Sequence, residues 1–263
     1  AEFRFAPAWR LAAVAPLVDP RPSDIDVSNL YKPGRHAMFH GPVFQSVREI
    51  EGWDDSGIDV GLGEVSLQDF FAEGHTPQLV LNPVLLDALG QVVPCWLVQY
   101  VGPEFHSFPS TIDRIELYEP CPADRGGLVM RARQRPADPG ASDISAPRMW
   151  QFECVDAAGR VLLRCRDMGN LFFRVPASYH ALRTHPLAGW LGAPREHGLA
   201  RGVTLWELPL IEEELCTQSG GICMRVIAHT VLAIEEREEW RALQGRLLHR
   251  RQWLSGRAAL KEA

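Results

Sequence analysis

The alternation of apolar and polar positions divides the chain into a β-rich stretch built around one apolar helix and a remainder with a looser rhythm. Residues 43–50 and 58–65 suit strands, and the Gly-Trp-Asp-Asp-Ser-Gly run at 52–57 supplies turn chemistry between them. Asn82 can cap a helix and Pro83 can occupy its first position, which predicts a helix to about residue 93. Val84, Leu85, Leu86, Leu89, Val92 and Val93 leave Asp87 and Gln91 as its polar side chains. A helix apolar nearly all round is a buried helix. Pro94 is expected to kink or end it, because a proline removes a hydrogen bond and crowds the preceding turn.

Strand patterns then follow one another at 112–118, 128–133, 148–155 and 161–173. Leu128, Met130 and Ala132 alternate with Arg131 and Arg133, and Trp150, Phe152 and Cys154 share one face. The Asp-Ala-Ala-Gly run at 156–159 joins the last two strands as a tight hairpin. One buried helix followed by an antiparallel meander is the order of a curved sheet wrapped around a central helix, an α+β arrangement. Prolines and glycines mark linkers at 1–29 and 176–201 on either side of an ordered domain at 30–175. The stretch 202–263 reads as a smaller α/β appendage, with strands in 203–210 and 223–232 and a charged helix over 235–261.

Composition narrows the function classes. With 46% hydrophobic and 23% charged residues and a formal charge of -6, the chain is ordinary globular material with no basic field for nucleic acid. The apolar N-terminal run is broken by Pro7, Pro16 and Pro20 and carries Glu2, Arg4 and Arg10, so it is read as neither a secretion signal nor a membrane span. Cysteines 95, 121, 154, 165, 216 and 223 form no Cys-x-x-Cys pair and are read as buried thiols of a cytoplasmic protein. No zinc spacing, phosphate loop, Gly-x-Ser-x-Gly or dinucleotide fingerprint is present.

Asp87 and Gln91, four apart on a helix, project from one face and can share a pocket. A carboxylate on an apolar helix must be hydrogen-bonded or hold its proton, which suits a general acid. The residues alone leave open that Asp87 merely satisfies a buried donor. The motifs go further. Ala-Met-Phe-His-Gly-Pro-Val-Phe-Gln at 37–45 resembles the Gly-Tyr-x-Tyr-Gly-Pro-x-Phe signature of the second hotdog in polyketide synthase dehydratases, and Leu-Leu-Asp-Ala-Leu-Gly-Gln at 85–91 resembles their Asp-x-x-x-Gln helix. The stretch at 107–120 is similar to the family's Leu-Pro-Phe-x-Trp strand.

This resemblance implies a hotdog fold that removes water from a 3-hydroxyacyl chain on the phosphopantetheine arm of an acyl carrier protein, with no bound cofactor or metal. It implies that Asp87 is the general acid and Gln91 its orienter, and that Gly41, Pro42, Phe44, Phe108 and Pro109 line the substrate. His40 stands where the family has its second Tyr, Met38 at the first, Ala37 replaces the Gly, and no tryptophan follows Phe108 and Pro109. His40 is therefore a further catalytic candidate. The family's C2 base is a His of a first hotdog with a His-x-x-x-Gly-x-x-x-x-Pro motif, which is expected outside this chain. Pairing with a second hotdog, as a homodimer or with a partner half, is the corresponding expectation. The alternatives are a catalytically degenerate module for dimerisation or carrier docking, and a dehydratase-like isomerase or product-shaping domain.

The segment at 203–263 resembles the N-terminal half of Sfp-type phosphopantetheinyl transferases, which implies Arg250, Arg251, Arg257 and Lys261 as contacts for the phosphates of coenzyme A, with Mg in a complete transferase. The same charges also fit an exposed helix laced with ion pairs.

Overall fold

The computed structural model describes residues 13–32, 38, 40–64, 71, 79–102, 105–119, 126–135, 148–174, 191–196, 203, 205–208, 211, 213–217, 221–245 and 247–262. Contacts divide the chain into two units, the first made of residues up to 32, 36–103 and 107–171, the second of the remainder.

The first unit is organised around helix α1, Pro83–Tyr100. Asn82 caps it as the sequence predicts, its side-chain oxygen accepting the N–H groups of Val84 and Leu85 at 2.9 and 3.3 Å. The helix does not stop near Pro94 but runs on to Tyr100. An interior proline costs roughly 3 kcal/mol, whereas burying each large apolar side chain returns roughly 1.5–3 kcal/mol. Val92, Val93, Trp96 and Leu97 are all buried around it. Trp96 stacks on Tyr100, meets Trp150 of the sheet edge to face at 5.0 Å, and donates its indole N–H to the Asp54 carbonyl at 2.8 Å.

The sheet around α1 contains β1 Val47–Asp54, β2 Gly57–Leu62, β3 Phe105–Leu117, β4 Leu128–Gln134, β5 Arg148–Val155 and β6 Val161–Arg174 in the order β1-β2-β4-β5-β6-β3. The neighbours from β1 through β6 pair antiparallel. Just past β3 the Tyr118 N–H reaches the Leu162 carbonyl, and within β3 the Ser110 hydroxyl reaches the Gly169 carbonyl, so this edge strand runs antiparallel as well. A curved antiparallel sheet on a central helix is the hotdog fold. Strands β4, β5 and β6 fall within a residue of expectation. β1 begins at residue 47 instead of 43, because Gly41 and Pro42 start a short 3-10 turn, Pro42–Phe44. β2 stops at Leu62, and β3 starts well before residue 112, carrying Phe108 and Pro109 within it. At the β1–β2 hairpin a side chain on Gly57 would lie 2.1 Å from the Ala132 carbonyl, so that strand crossing admits only glycine.

Side-chain alternation gives the sheet two unlike faces. Ile58, Val60, Met130, Ala132, Phe152 and Cys154 are fully buried and share the parity of Trp150, which meets α1. The opposite parity carries a row of alternating charge across four strands, Asp59, Arg131, Glu153 and Arg164. Residues 14–17, expected to be linker, are held on this row through their main chain. Val14 N–H donates to Glu153 at 2.5 Å, Leu17 N–H to Asp59 at 3.2 Å, and the carbonyls of Val14 and Ala15 accept from Arg131 and Arg133 at 2.6 and 3.0 Å. Arg21 then bridges to Trp53 on edge strand β1. The ordered first unit therefore includes residues before 30.

The second unit holds a two-stranded sheet, β7 Ala193–Arg195 with β8 Leu205–Glu207, and helices α2 Glu213–Thr217, α3 Ile222–Val231, α4 Ile234–Ala242 and α5 Leu247–Glu262. Residues 223–231, expected as strand, are helical, because Cys223, Met224, Ile227 and Ala228 fall on one helical face and are all buried. The charged stretch from 235 is two helices rather than one, the first ending at Ala242 and the second beginning at Leu247. The linker expected at 176–201 lies mostly outside the described residues.

Candidate functional site

The site grows from the second and third turns of α1, which carry Asp87 and Gln91. Gln91 is fully buried, and its amide is saturated. Its Nε2 donates to Asp87 Oδ2 at 2.6 Å and to the Phe44 carbonyl at 2.7 Å, while its Oε1 accepts from the Tyr31 hydroxyl at 2.7 Å and from Ser46 Oγ at 3.3 Å. Tyr31 in turn accepts the Val47 N–H at 2.8 Å, where β1 begins. The 3-10 turn thus has a local purpose: it aims the Phe44 carbonyl at the helix.

Asp87 is about one-third exposed, in contrast to its buried neighbour. His40 Nε2 lies 3.3 Å from Asp87 Oδ2, with the imidazole largely enclosed and the Tyr31 ring edge-on to it. Burial lowers the His40 imidazole below its ordinary range, and the Asp87 charge opposes that shift only in part. Around neutral pH the imidazole is therefore uncharged. Gln91 and His40 both act on Oδ2 of Asp87, and among the described residues no hydrogen bond reaches Oδ1. The cluster therefore consists of one carboxyl with a fixed oxygen and a free oxygen, flanked by an amide, a phenol and a neutral imidazole. Such a group can pass a proton to a ligand oxygen on the open side.

A family model described as the polyketide synthase dehydratase N-terminal domain matches residues 12–169, more than half of the chain. The chain belongs to that family. Its solved structural neighbours include the dehydratase domain of RzxB from Pseudomonas fluorescens, at 18% identity over 58% of this chain and 54% of that one, TM-score 0.41. The dehydratase domain of the polyketide PpsC from Mycobacterium tuberculosis aligns at 16% identity over 61% and 55%, TM-score 0.44. GphF dehydratase 1 aligns at 19% identity over 60% and 53%, TM-score 0.43. The chain spans about half the length of these structures. No curated protein sequence matches it.

Within this dehydratase-family chain the other predicted residues take varied positions. Gly41 and Pro42 are exposed at the start of the turn, and Phe44 is half-buried. Pro109 is exposed on β3 yet approaches α1, since a side chain on Gly90 would meet its Cγ at 3.5 Å, and Phe108 beside it is half-buried. Of the motif departures, Ala37 lies outside the described residues. Tyr31 and Ser46, which complete the amide's partners, were missed by the motif comparison. The available signal was a lone tyrosine and a serine flanking the Gly-Pro turn.

The cations assigned to coenzyme A are engaged by the chain itself. Lys261 bonds Glu236, Arg257 lies 3.4 Å from Glu239, Arg250 stacks over Trp240, and Arg251 is buried with a bond to the Ile211 carbonyl. These contacts match the ion-paired alternative. The His-x-x-x-Gly-x-x-x-x-Pro spacing expected outside this chain is present within it at His185, Gly189 and Pro194, of which His185 and Gly189 lie outside the described residues. Among the described residues no helix is long and apolar enough to cross a membrane, and no three His, Cys, Asp or Glu side chains gather as a metal would require. The described cysteines, 95, 154, 165, 216 and 223, are buried and form no disulfide with one another.

Proposed function

We propose that the chain is the Asp-bearing half of a polyketide synthase dehydratase, acting on a 3-hydroxyacyl chain carried by an acyl carrier protein. The observation that carries this reading is the asymmetry of Asp87: Gln91 holds Oδ2 as an acceptor at 2.6 Å, which leaves Oδ1 to bear the proton. In the protonated carboxyl, Oδ1 gives that proton to the 3-hydroxyl as the C3–O bond breaks. The electron pair of the C2–H bond becomes the C2=C3 bond, and water and an enoyl thioester leave. The C2 proton goes to a base from the other, His-bearing hotdog half. His40, already engaged with Oδ2, acts through Asp87. Edge strand β3, exposed along residues 109–114, offers the hydrogen-bonding edge on which a second hotdog can pair.

The test is turnover of a 3-hydroxyacyl pantetheine thioester by the polypeptide that carries this chain, wild type against Asp87→Asn. A positioned general acid contributes about 10²–10⁴-fold, so the variant is expected to lose turnover by that factor. Equal turnover in both proteins overturns the reading. No turnover in the wild type would instead favour a non-catalytic docking module.

A further inference from the structure

We infer that Tyr31 is a positioning residue of this site, whose hydroxyl fixes the facing of the Gln91 amide and thereby selects the oxygen of Asp87 that carries the acid proton. The inference rests on the reading of Asp87 as the acid.

The polarity of the hydrogen bonds sets the facing of the amide. A backbone N–H can only donate, so the Val47 N–H at 2.8 Å makes the Tyr31 oxygen an acceptor on that side and turns its own proton elsewhere. That proton points at Gln91 Oε1, 2.7 Å away. With Oε1 committed, the two hydrogens of Nε2 face the Phe44 carbonyl, which can only accept, and Asp87 Oδ2. The reverse facing would set Oε1 against the Phe44 carbonyl and against the carboxylate, and would deprive Tyr31 of its acceptor. A side-chain amide has no facing preference of its own, so its neighbours decide. Tyr31 supplies the closer of the two donors to Oε1; Ser46 Oγ is at 3.3 Å. Burial raises the phenol above its ordinary range, which keeps it a protonated donor throughout the working pH of a dehydratase.

A tyrosine that merely tied the start of β1 to the helix would affect folding and nothing else. A double-mutant cycle separates the two roles: wild type, Tyr31→Phe, Gln91→Ala and the double variant, each measured for kcat and KM on the thioester and for Tm, with Asp87→Asn alongside. Phe retains the ring and removes only the hydroxyl. Expected is a fall in kcat of about tenfold for Tyr31→Phe with KM within about twofold, and almost no further fall when it is added to Gln91→Ala, because residues acting as a unit are not additive. Full kcat in a folded Tyr31→Phe protein, or the same fold loss in both backgrounds, overturns the inference. If Asp87→Asn itself keeps wild-type kcat, the acid reading fails; if it is dead while Tyr31→Phe is unaffected, only the role of Tyr31 fails. Should Tyr31→Phe not fold, the wild-type protein still decides. Proton NMR is expected to show a slowly exchanging Tyr31 hydroxyl in contact with the Gln91 side chain, and its absence overturns the inference.

Discussion

Three carboxylates of the first unit show how partner count separates structure from chemistry. On the outer face of the sheet, Asp59 receives Arg133 on Oδ1 and the Leu17 N–H on Oδ2, and Glu153 receives Arg164 on Oε1 and the Val14 N–H on Oε2. Each is buried, doubly satisfied and closed to any ligand. Under the opposite face, Asp87 has both its partners on one oxygen and remains partly exposed. Burial and charge are therefore greater where the carboxylates only hold the fold, and the reactive candidate is the less buried one. A carboxyl left half-satisfied beside a saturated amide is what proton donation requires, because a fully bonded oxygen has no room for a substrate.

The sharpest way to break this comparison is to remove one carboxylate from each face. Taking one partner from a buried ion pair costs about 3–5 kcal/mol, so Glu153→Ala is expected to lower the unfolding free energy by that amount in a denaturant titration. Turnover per folded molecule should stay near the wild-type value. Asp87→Asn keeps an acceptor for Gln91 and should shift stability by less than about 1 kcal/mol while losing turnover. Matching stability losses in the two variants would erase the distinction.

A second, smaller effect comes from pH. Burial holds the folded His40 imidazole below its unfolded value, so the unfolded chain binds the proton first as pH falls. The associated stability is complete above the ordinary imidazole range and is lost as pH drops through the lowered folded value, by at most about 1.4 kcal/mol per pH unit. Urea titrations from about pH 7.5 to about pH 5 should show this slope, and His40→Gln should flatten it. A slope unaltered in that variant would place the titration elsewhere.

The least effect is expected at the rim of the strap that residues 14–17 form on the charged row of the sheet. Arg21 lies 4.8 Å from the Trp53 ring and pairs with Asp55 at an exposed position, a type of contact worth about 0.5–1 kcal/mol. Arg21→Ala should cost no more than that in the same titration, with the Glu153 loss several times larger.

The central helix was legible because its signals agree: a capping Asn82, a Pro83 at the first position, and Asp87 and Gln91 at a spacing that fixes their shared face. Strand β4 was legible from alternation, and β5 and β6 from their apolar runs on either side of the Asp-Ala-Ala-Gly turn. The helix end was not, since the local penalty of Pro94 is outweighed by packing that no local pattern displays. Helix α3 was misread because β-branched residues suggest a strand, whereas its buried positions recur at helical spacing. The roles of Tyr31 and Ser46 depend on long-range contacts, 60 and 45 residues from Gln91. The strap at 14–17 was invisible for a different reason: the sheet grips its main chain, and main-chain recognition leaves no side-chain pattern to read.

That mode of grip sets the rules for rewriting the segment. The amides at 14 and 17 and the carbonyls at 14 and 15 are the groups engaged, and the imino position at 16 falls between them, where no donor is called upon. The identities of Val14, Ala15 and Leu17 are thus open to wholesale exchange, provided that a ring-closed residue never occupies 14 or 17.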